Sequence, residues 1–191
     1  MGSHTSVFNI TACRKELALA VTSAKLRWSM GISVRLKEYM EMNCAPFSVI
    51  DHPLAYTAQG VASALHVDGK EVAKSVVVRA GEAQDTILTV LPTCYHVDLQ
   101  KLGNVIGKPV RLATEHEFAK LFPDCELGAV PPFGHLYGLP VYVDQSLAED
   151  EEIVFNAGTH REAIRMPFRE FKRLAQPVIC SFARTASHGN N

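Results

Sequence analysis

Hydrophobic positions recur along this chain with two periods, and the changes between them lay out the elements. Val34, Leu36, Tyr39 and Met40, interleaved with charges, predict an amphipathic helix over residues 33 to about 43. Phe47-Ser48-Val49-Ile50 predicts a short strand stopped by Pro53. Thr57 is placed to cap a helix carrying Val61, Ala62, Ala64 and Leu65. Past Gly69, a short helical turn with Glu71 and Val72 leads into the β-branched run Lys74-Ser75-Val76-Val77-Val78-Arg79, a strand bounded by Gly81. Residues 86–91 form a second strand, ended by Pro92. A helix follows over 98 to about 105, then a short strand over 110–112. Thr114 caps a further helix with Phe118, Leu121 and Phe122, which Pro123 stops.

Periodicity then gives way to a loop in which Gly128, Pro131, Pro132, Gly134, Gly138 and Pro140 fall close together. Beyond it the pattern predicts a strand over 139–143 that starts on its proline. A short acidic helix capped by Asp144 runs to Glu149. Two strands, 153–156 and 163–166, flank a turn at Gly158, and a last helix covers 168–174 with Pro167 in its first turn. Strands and helices interleave irregularly, so the expected class is mixed α/β.

Composition narrows the picture. The chain has 191 residues, 47% hydrophobic and 20% charged, with a formal charge of −1. This is a globular composition, and no stretch reaches the ~18 apolar residues of a transmembrane helix. The near-neutral balance excludes a protein that grips long stretches of nucleic-acid backbone, though not one that touches only an RNA end. The five cysteines are scattered and form no C-x-x-C, which argues for a cytoplasmic protein without a disulfide framework or structural zinc. Residues 1–29 carry Arg14, Lys15, Lys25 and Arg27 against the single acid Glu16. Met1-Gly2-Ser3-His4 has the letters of an expression-tag remnant. The expected organisation is an N-terminal extension over 1–29, partly tag-derived or disordered, a domain over 30–178 and a C-terminal tail over 179–191.

Familiar catalytic motifs are missing: no G-x-x-x-x-G-K-[ST], no G-x-G-x-x-G, no G-x-S-x-G, and His116-Glu117 lacks the second histidine of a zinc protease. Three features remain. Lys74 heads a strand, where a cation could sit at a pocket mouth or simply face solvent. Gly128-Ala129-Val130-Pro131-Pro132 can build a rigid turn, or aim backbone N–H groups at an anion. Asn156-Ala157-Gly158-Thr159-His160 is a polar turn whose amide and imidazole could hydrogen-bond an amine, an ester or water.

These features together resemble the YbaK-like, prolyl-tRNA editing domain family. The resemblance runs from about Arg35 to Leu174. It is carried by Tyr56-Thr57-Ala58-Gln59 with Val61-Ala62, by residues 69–78, by the G-x-x-x-P loop over 128–132, and by Phe155-Asn156-Ala157-Gly158. It implies a curved mixed sheet flanked by helices, and hydrolysis of the ester joining a wrong amino acid, commonly alanine or cysteine, to tRNA for proline. The implied actor is a free-standing editor acting in trans on the 3′ end of an aminoacylated tRNA, with prolyl-tRNA synthetase as a further partner and no membrane role. Lys74 falls on the family's functional lysine, and Gly128 and Pro132 on its substrate loop, with Ala129, Val130 and Pro131 between them. His160 falls near a histidine important in some members. Asn156 and Gly158 are added as pocket candidates. The double proline departs from other members, so the loop transfers no substrate identity.

An aminoacyl ester is already reactive, so positioning and charge stabilisation suffice, and the reading calls for no metal, no cofactor and no covalent intermediate. Arg161, Arg165, Arg169, Lys172 and Arg173 form a basic stretch that either meets the acceptor stem or is a solvated face diluted by Glu162 and Glu170. Two other classes compete: a non-catalytic tRNA- or synthetase-binding module of the same fold, and a thiol enzyme using Cys94 or Cys125.

Overall fold

The computed structural model describes residues 31–185. The N-terminal extension expected over 1–29 lies outside the described residues. The first helix, α1 (Val34–Met42), starts where Ser33 leaves helical geometry and its hydroxyl accepts from the Leu36 amide. Its apolar positions Leu36 and Met40 are fully buried. β1 (Ser48–Asp51) follows, then α2 (Ala58–Leu65), which Thr57 caps by accepting from Gly60 N.

The β-branched runs at the centre of the chain form the longest strands. β2 (Ala73–Ala80) and β3 (Asp85–Pro92) pair antiparallel along their full length. β4 (Tyr95–Val97) leads into α3 (Leu99–Ile106), capped by Asp98, and β5 (Val110–Leu112) adds to the free edge of β2. The helix expected after Thr114 is shorter than its apolar spacing suggests. α4 (Glu115–Phe118) gives way to a 3-10 turn over Ala119–Leu121, and Phe122 then enters the core.

β6 (Val141–Asp144) starts after Pro140 and lies parallel to β3. The expected acidic helix is a 3-10 turn over Gln145–Glu149. β7 (Glu152–Asn156) and β8 (Glu162–Pro167) form the expected hairpin-like pair, and β1 joins β8. Pro167 stands one position before α5 (Phe168–Ala175), as its cap rather than in its first turn.

With β9 (Val178–Cys180), the strands make a five-stranded mixed sheet in the order β5-β2-β3-β6-β9 and a three-stranded antiparallel sheet β1-β8-β7. One isolated parallel bridge, Val72 to Val154, joins them just ahead of β2. The mixed α/β class expected from the pattern is the observed one.

The C-terminal tail needs correction. Residues 179–185 are structural: β9 (Val178–Cys180) pairs with β6, and β10 (Ala183–Thr185) pairs with β4. Phe182 between them is fully buried beside Leu91 and Leu102. The domain therefore extends past residue 178 because the Asp144 carboxylate accepts from the Phe182 and Ala183 amides, at 2.7 and 2.6 Å.

Candidate functional site

The 128–132 loop is held at both ends. Phe133, directly after it, is fully buried, its ring 5.7 Å from that of Phe155 and 5.4 Å from that of Phe171. Ala129 and Val130 are buried too, Val130 against Val77, Leu88 and Phe122. Pro131 and Pro132 are buried and carry no N–H. The Ala129 amide is spent on Glu126 O, at 3.0 Å. Among the described residues, the loop's free backbone donors are therefore the amides of Gly128 and Val130, and not the whole loop as the sequence suggested. Gly128 takes φ +89°, a conformation closed to most side chains, and it leaves the turn exposed at that point.

The turn after β7 meets this loop directly. His160 is 6% exposed. Its backbone N–H donates to Glu126 Oε2 at 2.7 Å, and its ring Nε2 lies 3.0 Å from Leu127 O. A carbonyl only accepts, so Nε2 carries the proton, and in the neutral ring Nδ1 is a bare acceptor. Nδ1 is buried, with no hydrogen-bond partner among the described residues. A Cβ on Gly128 would sit 3.8 Å from His160 Cε1, so loop and imidazole are in van der Waals reach. Glu126 N in turn donates to Gly158 O at 2.8 Å. Gly158 itself has φ +107°, and a Cβ there would be 2.8 Å from Ser33 N and Cβ, so only glycine fits.

Asn156 ends β7 opposite Ala163, and its Oδ1 is buried and unpaired. Lys74 lies in β2, half-buried, with Nζ donating to Thr93 O at 3.2 Å. Val72 bridges Val154, and Lys74 and Asn156 each lie two residues further along, at corresponding positions of the two strands. Among the described residues Lys74 forms no hydrogen bond with the loop or with His160. Burial lowers the Lys74 ammonium from its ordinary range, with the Cys94 thiol opposing.

One neighbour went unnoticed in the sequence as a site residue. Tyr56 is 69% exposed, and its ring meets that of His160 edge-on at 5.0 Å. Leu54, two positions before it, is exposed, as is Leu127, whose carbonyl lies against the His160 ring, and Ala55 N donates to His160 O at 3.0 Å. The signal available in the sequence was its place at the head of the Tyr56-Thr57-Ala58-Gln59 motif that carries the resemblance.

The remaining candidates fare differently. The Cys94 and Cys125 thiols are both pushed up by burial, which leaves little thiolate to act as a nucleophile. The basic stretch is not one cationic face: Arg173 pairs with Glu170 at 2.9 Å, and Arg169 and Lys172 line a groove shared with Asp150, Glu151 and Glu152. None of the nine predicted residues lines that groove or a second one beside α3. Among the described residues no group of three or more histidines, cysteines or carboxylates is placed to hold a metal ion. No helix there is long and apolar enough to cross a membrane.

Residues 52–174 match the family model of the aminoacyl-tRNA editing domain. The chain is 30% identical over 156 residues to the multifunctional Ser/Thr-tRNA deacylase ProXp-y of Escherichia coli K12, covering 80% of this chain and 93% of that protein. The same protein from Escherichia coli O157:H7 matches equally. A crystal structure described as a candidate trans-editing enzyme for prolyl-tRNA synthetase superposes with TM-score 0.71 at 27% identity, covering 82% of this chain and 99% of its own. A hypothetical protein with TM-score 0.72 and 20% identity, covering 78% and 99%, shows the same fold.

Proposed function

The chain belongs to the aminoacyl-tRNA editing domain family, and from that premise we propose that it acts in trans as a deacylase of mischarged tRNA. Water attacks the ester carbonyl carbon, the bond to the ribose oxygen breaks, and that oxygen leaves with a proton. Lys74 supplies a cation for the ester or the neighbouring phosphate. Only one of its three N–H donors is spent on Thr93. The Gly128 and Val130 amides are free to hold the aminoacyl group or the developing oxyanion. No step calls for a metal or a covalent intermediate.

The observation that best supports the reading is the join between the 128–132 loop and His160, where Gly128, with its amide unspent, comes within van der Waals reach of a buried imidazole whose Nδ1 has no partner among the described residues. The same atoms favour a substrate. Asn156 Oδ1 and His160 Nδ1 are acceptors without donors, which suits a hydroxylated amino acid, and ProXp-y is a Ser/Thr-tRNA deacylase. Serine and threonine therefore stand ahead of alanine and cysteine, and tRNA for proline follows from the fold neighbour's name. A synthetase pocket separates such small side chains by only ~1–3 kcal/mol per methylene, so a second, hydrolytic sieve has work to do. Tyr56, with the exposed Leu54 two positions before it, the exposed Leu127 whose carbonyl meets the His160 ring, and the exposed Arg161 next to His160, offers the terminal base a stacking surface.

The test is hydrolysis of seryl-, threonyl-, alanyl- and cysteinyl-tRNA by the wild type and by Lys74→Met. Loss of a hydroxylated ester with the wild type only is expected. No turnover of any ester by folded protein overturns the reading in favour of a binding module.

A further inference from the structure

The start of α1 gathers three segments that are far apart in sequence. Ser33 N donates to Ala157 O at 2.8 Å, in the turn that leads to His160. Ser33 Oγ donates to Asp124 Oδ2 at 2.5 Å, ahead of the 128–132 loop. The same hydroxyl lies 3.0 Å from Tyr137 Oη, beyond the loop, and Tyr137 Oη lies 3.2 Å from Cys125 Sγ. Arg35 repeats the grip: its amide donates to Asp124 Oδ2 at 3.2 Å and its Nη1 to Leu136 O at 3.1 Å. Its guanidinium stands 5.2 Å over the Tyr137 ring. Entry to the loop, exit from it, and the His160 turn are thus tied to two residues of one helix start.

We propose that Asp124 is a positioning residue for the deacylation reaction, fixing the 128–132 loop against the His160 turn through Ser33 and Arg35. The proposal rests on the deacylase reading for its kinetic consequence, though not for the coupling itself. Asp124 is the common acceptor of both donors, and its second oxygen, Oδ1, is buried and unpaired, so the hold runs through Oδ2. Burial disfavours the carboxylate, yet the bonds from Ser33 and Arg35 keep its pKa below the ordinary value, which leaves Oδ2 a charged, strong acceptor at neutral pH. Loop and His160 turn otherwise meet through Glu126 and Leu127, which sit directly after Asp124 and Cys125. Slackening at residue 124 therefore passes straight into the contacts that set the start of the loop against the imidazole. A shift of about 1 Å there is enough to cost ~10²-fold in rate.

The test compares Asp124→Ala, Asp124→Asn and Arg35→Ala with the full wild-type chain by two readouts. Amide hydrogen exchange at residues 126 and 160 reports the coupling whether or not the chain is active. Single-turnover and steady-state deacylation report its consequence. Asp124→Ala is expected to speed exchange at both amides at least ~10-fold while the β2–β3 amides hold. It should lower kcat by ~10- to 100-fold with KM within about threefold. Asp124→Asn, whose carbonyl can replace Oδ2, should recover to within about fivefold of wild type, as should Arg35→Ala, which keeps its backbone bond to Asp124 and loses the side-chain tie to Leu136 O. Unchanged exchange at residue 160 in Asp124→Ala overturns the coupling. Faster exchange with unchanged kcat overturns the positioning role. A wild type inactive on every ester overturns the deacylase reading instead, and the exchange result still decides the coupling. Should Asp124→Ala fail to fold, Ser33→Ala, which removes the hydroxyl donor to Asp124 Oδ2 and leaves the carboxylate in place, carries both readouts.

Discussion

Replacing Lys74 with methionine separates catalysis from stability more cleanly than any other change in this site. Methionine keeps most of the length and loses the charge. One donor of the ammonium is held at 3.2 Å by Thr93 O, so the cation is already oriented and two donors remain for substrate. A preorganised donor aimed at developing charge contributes about 3–4 kcal/mol to the barrier, or 10²- to 10³-fold in rate. A unit charge at 4 Å from an anion near a protein surface gives ~4 kcal/mol, the same range. The stability side nearly cancels. The lost bond to Thr93 is worth ~1–2 kcal/mol, and removing a half-buried charge returns a comparable amount. Lys74→Met is therefore expected to lower single-turnover deacylation at least ~100-fold with the urea midpoint shifted by less than about 1 kcal/mol equivalent. The pH dependence adds a second check. Burial lowers the Lys74 pKa, so the folded protein releases this proton before the unfolded chain does. Stability conferred at this residue then rises as pH climbs from the folded value toward the unfolded one, and the methionine variant should lose that slope. Activity carried by the cation should fall over the same window in the wild type, after subtraction of spontaneous ester hydrolysis, and stay flat in Lys74→Arg. Deacylation by Lys74→Met within threefold of wild type refutes the reasoning, because no charge in the transition state would then depend on this group.

Gly158→Ala places a Cβ 2.8 Å from Ser33 N at φ +107° and is expected to destabilise by about 2–4 kcal/mol, read as a drop in the urea midpoint; a change below 0.5 kcal/mol, within the ordinary scatter of surface mutants, would contradict the tight approach. Glu162 is almost fully buried, and burial, with the Thr159 hydroxyl opposing and the Asp51 carboxylate adding, raises its pKa. The folded state thus holds the proton more tightly than the unfolded chain, and stability conferred here is present at low pH and lost as pH rises through the folded value. Glu162→Gln should therefore raise the melting temperature at pH 8 and leave it unchanged at pH 4; equal effects at both would remove the titration from the account. Tyr56→Ala, at a ring 69% exposed, should raise KM for aminoacyl-tRNA about tenfold with little effect on melting temperature, and an unchanged KM would discard the stacking surface.

Short-range physics made much of this fold readable from the chain. Thr57 and Asp144 each cap the element the sequence assigned to them, and Asp98, read as the first residue of its helix, is that helix's cap, because a cap bonds an amide two or three residues away and its signal is local. The β-branched run of β2 and the apolar run of β3 are strands for the same reason: the pattern is carried within eight residues. Lys74 stood out because it heads such a run. Of the four three-residue strands among the described residues, only β5 was read from the sequence. β4, β9 and β10 have mixed composition, and Val178 is half-exposed even within β9, so their pairing depends on partners rather than on their own residues.

Asp144 shows where local reading stops. Its Oδ1 caps the following turn through Ser146, as the sequence implied. Its Oδ2 accepts from Phe182 and Ala183, almost forty residues on, and this draws the presumed tail into the core. Ser33 repeats the pattern at the site. Read locally it starts a helix, which it does, yet its hydroxyl reaches Asp124 and its amide reaches Ala157. Sequence periodicity registers neighbours two to four positions apart, whereas a single polar atom can satisfy a local bond and a distant one together. The chemistry-bearing residue types were therefore legible in the chain, while the contacts that fix their mutual geometry were carried by small polar residues whose second partners only the fold reveals.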